Sequence, residues 1–145
     1  YEIKDGFAVI DRIWKKGDVI ECTTPMQVRQ IVSRAEVKEN KDRMALQYGP
    51  LVYCVEGYDN GGQAWNFILS PQPGFTTQFE PELLGGVNTI SFVGKAVDIE
   101  PSGSSLTTRD VRIKAIPYFT WNNRGPAHMQ VWLPTRFSLV RVNPN

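Results

Sequence analysis

The chain has 145 residues, of which 41% are hydrophobic and 21% charged, a composition typical of a globular protein. A net charge of +1 excludes strong non-specific attraction to nucleic acid or anionic lipid, and no apolar run approaches the ~20 residues of a membrane span. The length fits one domain, so residues 1–145 are predicted to form a single soluble domain. Because the chain starts at Tyr1, without a signal peptide, we expect a processed chain or an excised fragment.

Short strand-forming runs fill the first half of the chain between frequent turn residues. Alternating or continuous apolar patterns predict strands over residues 7–14, 18–23, 26–32, 44–47 and 51–56. A turn at residues 15–18 predicts that the first two strands form a hairpin. Residues 36–43 predict a charged loop or a short helical turn. The apolar run 51–56 predicts a central strand that is covered on both faces.

The second half of the chain continues the same pattern. Strands are predicted over residues 65–69, 79–84 (strand or loop), 88–100 (one long or two short strands around Gly94), 109–116, 128–133 and 137–142. About ten short strands with little helix predict an all-β fold, an antiparallel, jelly-roll-like β-sandwich. Residues 57–105 are the least regular and are expected to form an irregular lobe or insertion. The Ser/Gly-rich stretch 101–105 predicts a loop open to proteolysis.

The two cysteines, Cys22 and Cys54, each lie in an apolar run, which predicts two buried, unreactive thiols. Whether the two cysteines form a disulfide is left open, because the sequence does not show how far apart their Cα atoms lie. The only histidine is His128, and neither CxxC nor HxxxH spacing occurs. We therefore predict no metal site formed by this chain and no Cys–His catalytic dyad.

Glycoside hydrolysis needs two carboxyl groups about 5–10 Å apart, one of them tuned as an acid. Asp59 is the best placed acidic residue, although an Asx turn that caps the loop is the favoured role for it. No pair of carboxylates stands out, so no catalytic residue is predicted.

Aromatic residues are the more informative feature, because sugars stack on displayed indole rings and aromatic side chains also fill cores and interfaces. Trp14 and Trp132 lie in predicted strands, which favours packing roles. Trp121 lies in a loop beside two asparagines and an arginine, and its display is expected. The resulting candidates for an interface or a ligand site are Tyr118, Trp121, Asn123 and Arg124, with Tyr58, Asp59 and Trp65 as weaker candidates.

Three stretches together resemble a known family. They are WKKGD at 14–18, ALQYGPLVYCVE at 45–56, and IPYFTWNNRG at 116–125 followed by MQVWL at 129–133. In this order they resemble the C-terminal region of glycoside hydrolase family 127, the β-L-arabinofuranosidase-like bacterial proteins. The resemblance extends from about Gly6 to Leu133.

The resemblance implies a parent enzyme whose (α/α)6 barrel carries out the reaction and is followed by β-sandwich domains. It also implies a glutamate acid/base and a zinc-bound cysteine nucleophile in that barrel. Neither Cys22 nor Cys54 lies in a vicinal-cysteine pattern, so that role is not transferred, and zinc is expected only in the missing catalytic domain.

The chain is therefore expected to be a non-catalytic accessory domain that supports the helical barrel and contributes to a homodimer. The alternative is a carbohydrate-binding module with exposed aromatics. A periplasmic or extracellular parent protein fits both roles.

Residues 121–125 are expected to project towards the missing barrel, because Pro117 and Pro126 bracket the loop and restrict its backbone. Arg124 needs acceptors for its five donors. Two arrangements stay open for it: acceptors across a domain interface, or carbonyl oxygens within its own loop.

Overall fold

A computed structural model describes residues 1–100 and 105–142 of the chain. In these ranges the strands are β1 (Glu2–Lys4), β2 (Phe7–Val9), β3 (Val28–Ile31), β4 (Arg43–Tyr48), β5 (Leu51–Glu56), β6 (Phe67–Leu69), β7 (Thr76–Glu80), β8 (Val87–Ile99), β9 (Leu106–Pro117), β10 (Met129–Gln130) and β11 (Leu133–Pro134). The 3₁₀ turns are η1 (Lys38–Asn40), η2 (Gly57–Asp59), η3 (Tyr118–Thr120) and η4 (Phe137–Leu139). The predicted all-β, antiparallel fold is confirmed.

Nine strands form one antiparallel sheet with the order β11-β4-β5-β9-β8-β6. Strand β3 also pairs with β4, β7 with β8, and β10 with β5. Strands β11 and β6, at the two ends of this order, pack against each other, so the sheet curls around a single core. No helix in the described part of the chain is long and apolar enough to cross a membrane.

The core is filled by apolar side chains that alternate along the strands, because successive residues of a strand point to opposite faces. In β8, for example, Ile90 and Phe92 are buried, whereas Val93 and Lys95 face solvent. The central cluster consists of Leu46, Tyr53, Val55, Ala64, Phe67, Leu69, Ile90, Phe92, Ala96, Ile113, Ala115 and Leu133. Strand β5 is covered on both faces only over Tyr53–Glu56, and Leu51 and Val52 are exposed.

The stretch that includes Gly94 forms one long strand, not two short ones. Strand β8 pairs with β9 from Ile90 to Ile99 without interruption. A Cβ at Gly94 would lie 2.6 Å from Ile113 Cδ1 and 2.8 Å from the Ile68 carbonyl oxygen, so glycine is needed there for close packing.

The range 57–105 holds all of β6, β7 and β8, which pair within the nine-stranded sheet. The predicted 101–105 loop lies almost entirely outside the described residues. The predicted strand at 137–142 is wrong, because its first half forms the η4 turn. This segment is fixed instead by single contacts such as the Arg141 N–H bond to the Trp65 carbonyl, 3.1 Å.

Residues 1–27, here called the N-terminal arm, lie outside the nine-stranded sheet. The predicted hairpin of 7–14 with 18–23 is wrong: β2 pairs instead with β1, across a turn in which Asp5 and Gly6 have φ of 51° and 85°. The predicted turn at 15–18 does form, closed by the Asp18 N–H bond to the Lys15 carbonyl at 3.1 Å.

Two side chains in the arm contradict their predicted burial. Cys22 is exposed, whereas Cys54 is buried as expected, and both are free thiols. Trp14 is half exposed beneath the Arg12 guanidinium, 5.1 Å from its ring, instead of packing in a core. The reason is the same for both: no second layer covers the arm within the described residues.

Candidate functional site

An ion cluster joins three segments at one end of the sheet. Glu56 is the last residue of β5, Asp59 ends the η2 turn, and Arg124 lies in the loop between η3 and β10. Arg124 Nη1 donates to Asp59 Oδ1 at 3.1 Å and Nη2 to Asp59 Oδ2 at 2.5 Å, while Nη2 also donates to Glu56 Oε2. The Glu56 side chain is 1% exposed, that of Asp59 10% and that of Arg124 22%.

Backbone and amide contacts hold the two carboxylates in place. The Gly57 N–H donates to the His128 carbonyl at 2.8 Å, which links the β5–η2 junction to the far end of the Arg124 loop. The Asn60 amide donates to the carbonyls of Glu56 and Lys114 and accepts from the Lys114 N–H, all within 2.9 Å. These bonds fix the backbone that carries Glu56 and Asp59.

Tyr58 covers the cluster from the solvent side. The Arg124 guanidinium carbon lies 5.2 Å from the centre of the Tyr58 ring, a cation–π contact. Gly125, with φ of 101°, lets the loop pass close to this ring, since a Cβ there would be 2.7 Å from the Tyr58 hydroxyl oxygen. The ring and the two carboxylates thus enclose the guanidinium.

Burial and the charges of the cluster set the protonation of Arg124 and Cys54. The pKa of Arg124 is raised, chiefly by its hydrogen bonds to Asp59 and also by those to Glu56, so the guanidinium stays charged. Burial, reinforced by the negative charges of Glu56 and Asp59, raises the pKa of the Cys54 thiol to about 12. Cys54 is therefore a neutral thiol at physiological pH and a poor nucleophile.

The η3 turn and the residues that follow it, 118–125, form a loop, here called the aromatic loop, that is anchored to this cluster. The Asn122 N–H donates to Glu56 Oε1 at 3.0 Å, and Thr120 Oγ1 donates to the Pro117 carbonyl at 2.7 Å. The rings of Tyr118 and Trp121 stack with centroids 6.4 Å apart. Between them Phe119 is exposed, so an apolar surface projects from a segment with a fixed backbone.

A groove of about 690 Å³ opens beside the aromatic loop. Its lining is Glu39, Asn40, Arg43, Val52, Trp65, Tyr118, Met129, Gln130, Val131, Trp132 and Arg141. The Trp65 ring stacks on His128 at 4.1 Å and its indole N–H donates to the Met129 carbonyl at 3.0 Å. The groove therefore combines fixed aromatic walls with charged side chains of both signs.

The sequence of the chain matches a known protein family. A sequence profile described as the glycoside hydrolase family 127 C-terminal domain matches residues 28–134. The chain belongs to glycoside hydrolase family 127.

Among family 127 relatives, the chain is 29% identical to a non-reducing end β-L-arabinofuranosidase of Bifidobacterium longum subsp. longum, over 90% of this chain and 21% of that protein. It is similar to the crystal structure of a β-L-arabinofuranosidase from Geobacillus stearothermophilus T6, with 38% identity and a TM-score of 0.71 over 76% of this chain and 18% of that one. A second family 127 β-arabinofuranosidase gives 34% identity and a TM-score of 0.78 over 83% and 19%. The chain thus spans about a fifth of the length of the relatives that it matches.

The residues of this family 127 domain do not fit the zinc centre that the resemblance assigns to the catalytic barrel. Within residues 1–100 and 105–142, no three His, Cys, Asp or Glu side chains are grouped as a metal ion would require. The buried Cys54 thiol is neutral, and the nearby Glu56 and Asp59 carboxylates are engaged by Arg124. No chemical step through a metal is therefore derived for these residues.

The structure brings most of the predicted site residues together. Tyr118, Trp121, Asn123 and Arg124 lie on the aromatic loop, where the Asn123 amide donates to the Thr120 carbonyl at 3.0 Å. The weaker candidates Tyr58 and Asp59 contact Arg124 directly, and Trp65 lies in the adjoining groove. The Arg124 Nη atoms bond carboxylates of this same domain and not carbonyl oxygens of their own loop, while acceptors across a domain interface stay a prediction.

Sequence reasoning missed Glu56, the most buried member of the ion cluster. It ends the apolar run of β5, and a buried acidic residue requires a cation. A glutamate in an apolar strand and an arginine without an assigned acceptor together could have indicated this ion pair.

We expect Arg124→Met to lower the free energy of unfolding by about 3 kcal/mol, because it leaves Glu56 as a buried, unpaired charge. Arg124→Lys, which keeps the charge but loses the planar fork, should cost less. Urea denaturation of the chain measures both. The control is Arg109→Met, which breaks the exposed Arg109–Asp98 pair and should cost less than about 1 kcal/mol.

If Arg124→Met does not fold, the triple variant with Glu56→Gln and Asp59→Asn should recover folding, since it removes both carboxylates that Arg124 compensates. An equal loss of stability in Arg124→Met and Arg109→Met would show that the cluster is ordinary surface.

The buried Cys54 thiol should also make stability depend on alkaline pH. Its folded pKa of about 12 lies above the ordinary 9.0, so above pH 9.0 the unfolded chain loses a proton that the folded chain keeps. The free energy of unfolding should then fall as pH rises, by at most about 1.4 kcal/mol per pH unit for this group. Urea titrations from pH 9.0 towards pH 10.0, where Tyr53 begins to contribute, measure the slope.

In Cys54→Ala the slope over this interval should fall to the part that Tyr53 supplies near pH 10.0, whereas Cys22→Ala should keep the full slope, because Cys22 is exposed. The same slope in wild type and Cys54→Ala would contradict the assignment.

Proposed function

We propose that this chain is a non-catalytic accessory domain of a family 127 arabinofuranosidase and that its aromatic loop and groove pack against the catalytic barrel. The observation that carries the proposal is the ion cluster of Glu56, Asp59 and Arg124, which holds an exposed aromatic surface in one conformation. Holding a loop rigid before association reduces the entropy that docking costs.

The composition of this surface supports a docking role. Phe119 is 66% exposed, Tyr118 43% and Val52 46%, and the last two line the same groove. Glu39, Arg43 and Arg141 lie around them. Apolar and aromatic side chains at the centre with charged side chains at the margin are typical of protein interfaces.

The non-catalytic part of the proposal follows from the state of the reactive groups. Both carboxylates at the site bind one guanidinium, which leaves neither as a free acid or base. The Cys54 thiol is buried and protonated. We expect the purified chain to leave an aryl β-L-arabinofuranoside unchanged, while the intact parent protein supplies the hydrolysis.

A second candidate, carbohydrate binding, is favoured by the groove itself. Trp65 and Trp132 line it together with Gln130 and charged side chains. Indole rings offer faces for stacking on a sugar, and the polar side chains offer hydrogen bonds to its hydroxyls. Binding of an arabinose-containing oligosaccharide to the isolated chain, lost in Trp132→Ala, would favour this function over docking.

The docking proposal is tested with Phe119→Asp in the full-length parent protein. In the isolated chain the melting temperature should hardly change, because Phe119 is exposed there. In the parent protein the variant should lower the melting temperature by several degrees, since a charge then enters a buried interface. Differential scanning calorimetry of both proteins measures the difference.

The matched control is Phe79→Asp, an exposed phenylalanine on β7, away from the aromatic loop. This variant should change the melting temperature by the same amount in the isolated chain and in the parent. Unchanged melting of the parent with Phe119→Asp would refute docking through this loop, and a fall in dimer content alone would assign the loop to a homodimer contact.

A further inference from the structure

The charged loop between β3 and β4 borders a second cavity, which the proposed docking surface does not explain. This cavity has a volume of about 680 Å³ and is lined by residues of the segment 32–44 and by Thr135, which follows β11. It is here called the basic cavity. It shares only Asn40 and Arg43 with the groove beside the aromatic loop, so it is a neighbouring but separate space.

The charges of this loop are sorted by sign. Residues 34–43 carry four basic and three acidic side chains, and all four basic ones line the basic cavity. They are Arg34, Lys38, Lys41 and Arg43. Of the acidic side chains only Asp42 lines it, whereas Glu39 lines the groove and Glu36 lines neither space. A stretch that is nearly neutral in sequence therefore presents a positive inner surface.

Successive backbone turns explain this sorting. The Val37 N–H donates to the Arg34 carbonyl at 3.0 Å. The Lys41 N–H donates to the Lys38 carbonyl at 3.1 Å, so a second tight turn follows the first. In tight helical turns, residues three or four positions apart lie on the same side. Arg34, Lys38 and Lys41 have this spacing, and their side chains therefore converge on the basic cavity.

The positive charge of the basic cavity is not compensated within the described residues. None of its four basic side chains forms an ion pair with a described carboxylate. Arg43 donates to the carbonyls of Trp132 and Leu139, which satisfies donors but does not neutralise the charge. The carboxylate of Asp42 is bound at 3.2 Å by Arg136, which does not line the cavity. The vacant partner of this surface is therefore an anion.

The size and walls of the basic cavity point to an organic anion. Its volume lies within the range of about 300–1,000 Å³ that is typical of small-molecule sites, and a lone inorganic anion would leave most of it unfilled. Val32, Val37 and Met44 add apolar surface to the walls. Such surface packs against the C–H groups of a ring, while ammonium and guanidinium groups bind a carboxylate by charge-assisted hydrogen bonds.

We propose that the basic cavity binds a sugar acid, a hexuronate unit of an acidic oligosaccharide. The Arg34 guanidinium offers a planar fork that matches both carboxylate oxygens, and Lys38 and Lys41 add point charges beside it. The sugar ring then packs on the apolar part of the wall. The choice of a sugar acid over other organic anions rests on the membership of the chain in glycoside hydrolase family 127 and makes no use of the aromatic loop.

An NMR titration of the ¹⁵N-labelled chain with trigalacturonate tests the proposal. The amide signals of residues 34–43 and of Thr135 should shift and saturate, while those of β8 should stay in place. The matched ligand is the same trisaccharide with its carboxyl groups reduced to alcohols, which should bind at least about tenfold more weakly. Inorganic phosphate, which carries the charge without the ring, should also bind at least about tenfold more weakly than trigalacturonate.

A pair of double variants tests the assigned cations. Lys38→Gln with Lys41→Gln should weaken the binding of trigalacturonate at least about tenfold and keep the fold, because both side chains are exposed. The control is Lys4→Gln with Lys16→Gln, which removes the same charge from two exposed lysines of the N-terminal arm and should keep the affinity. An equal loss of affinity in both double variants would reduce the effect to general attraction and overturn the site.

The remaining outcomes are equally decisive. Absence of saturable shifts at 34–43, equal binding of the acidic and the reduced trisaccharide, or phosphate binding as tight as that of trigalacturonate would each overturn the proposal. A parent protein that melts at a lower temperature with the Lys38 and Lys41 changes, in the absence of trisaccharide binding, would assign the cavity to an acidic segment of the parent instead. The Phe119→Asp test uses a different surface, so the docking proposal and this one fail separately.

Discussion

The buried carboxylate of Glu56 is the constraint on which the functional end of the domain depends. A carboxylate that is 1% exposed costs several kcal/mol unless a cation and hydrogen-bond donors compensate for the lost water. Arg124 and the Asn122 N–H supply that compensation from the loop that follows η3. The loop is therefore obliged to fold back over the end of β5, and the position of its aromatic side chains follows.

Such an ion cluster specifies a conformation more than it adds stability. An apolar trio of similar volume would pack as well, but it would not fix the direction of the loop, whereas the planar guanidinium bonds both carboxylates in only a few orientations. Asn60 strengthens this specificity, because its amide ties the β5–η2 junction to β9. The position of the exposed aromatic side chains is thus fixed by the hydrogen bonds among Glu56, Asp59 and Arg124 beneath them.

The strands of the core were predictable because their alternation is a local property of the sequence. Strand β5 has the predicted bounds, and the predicted 109–116 lies within β9. The arm was not predictable, since its pattern calls for neighbours that the described residues lack. The predicted strand at 137–142 was wrong for a related reason, because this segment is held by single contacts and not by a ladder of hydrogen bonds.

The candidate site was only partly accessible from sequence. Its aromatic and asparagine-rich loop stands out, and the structure gathers those residues with Tyr58 and Asp59, while their role stays a prediction. Glu56 was missed because its partner lies 68 residues away, and no local pattern encodes that pairing. Long-range charge compensation is visible only once the strands have been assembled.

The contact of Met26 with Gly49 joins the N-terminal arm to the turn before β5. Met26 Sδ would lie 2.6 Å from a Cβ at Gly49, so the arm packs directly on the turn that leads into β5. Strand β5 then runs about 20 Å to Glu56. Strand β5 is hydrogen-bonded to β4 on one side and to β9 on the other, so it cannot slide along its axis without breaking both ladders. The contact of the arm at Gly49 and the carboxylate of Glu56 are therefore held at a fixed separation, at opposite ends of one strand.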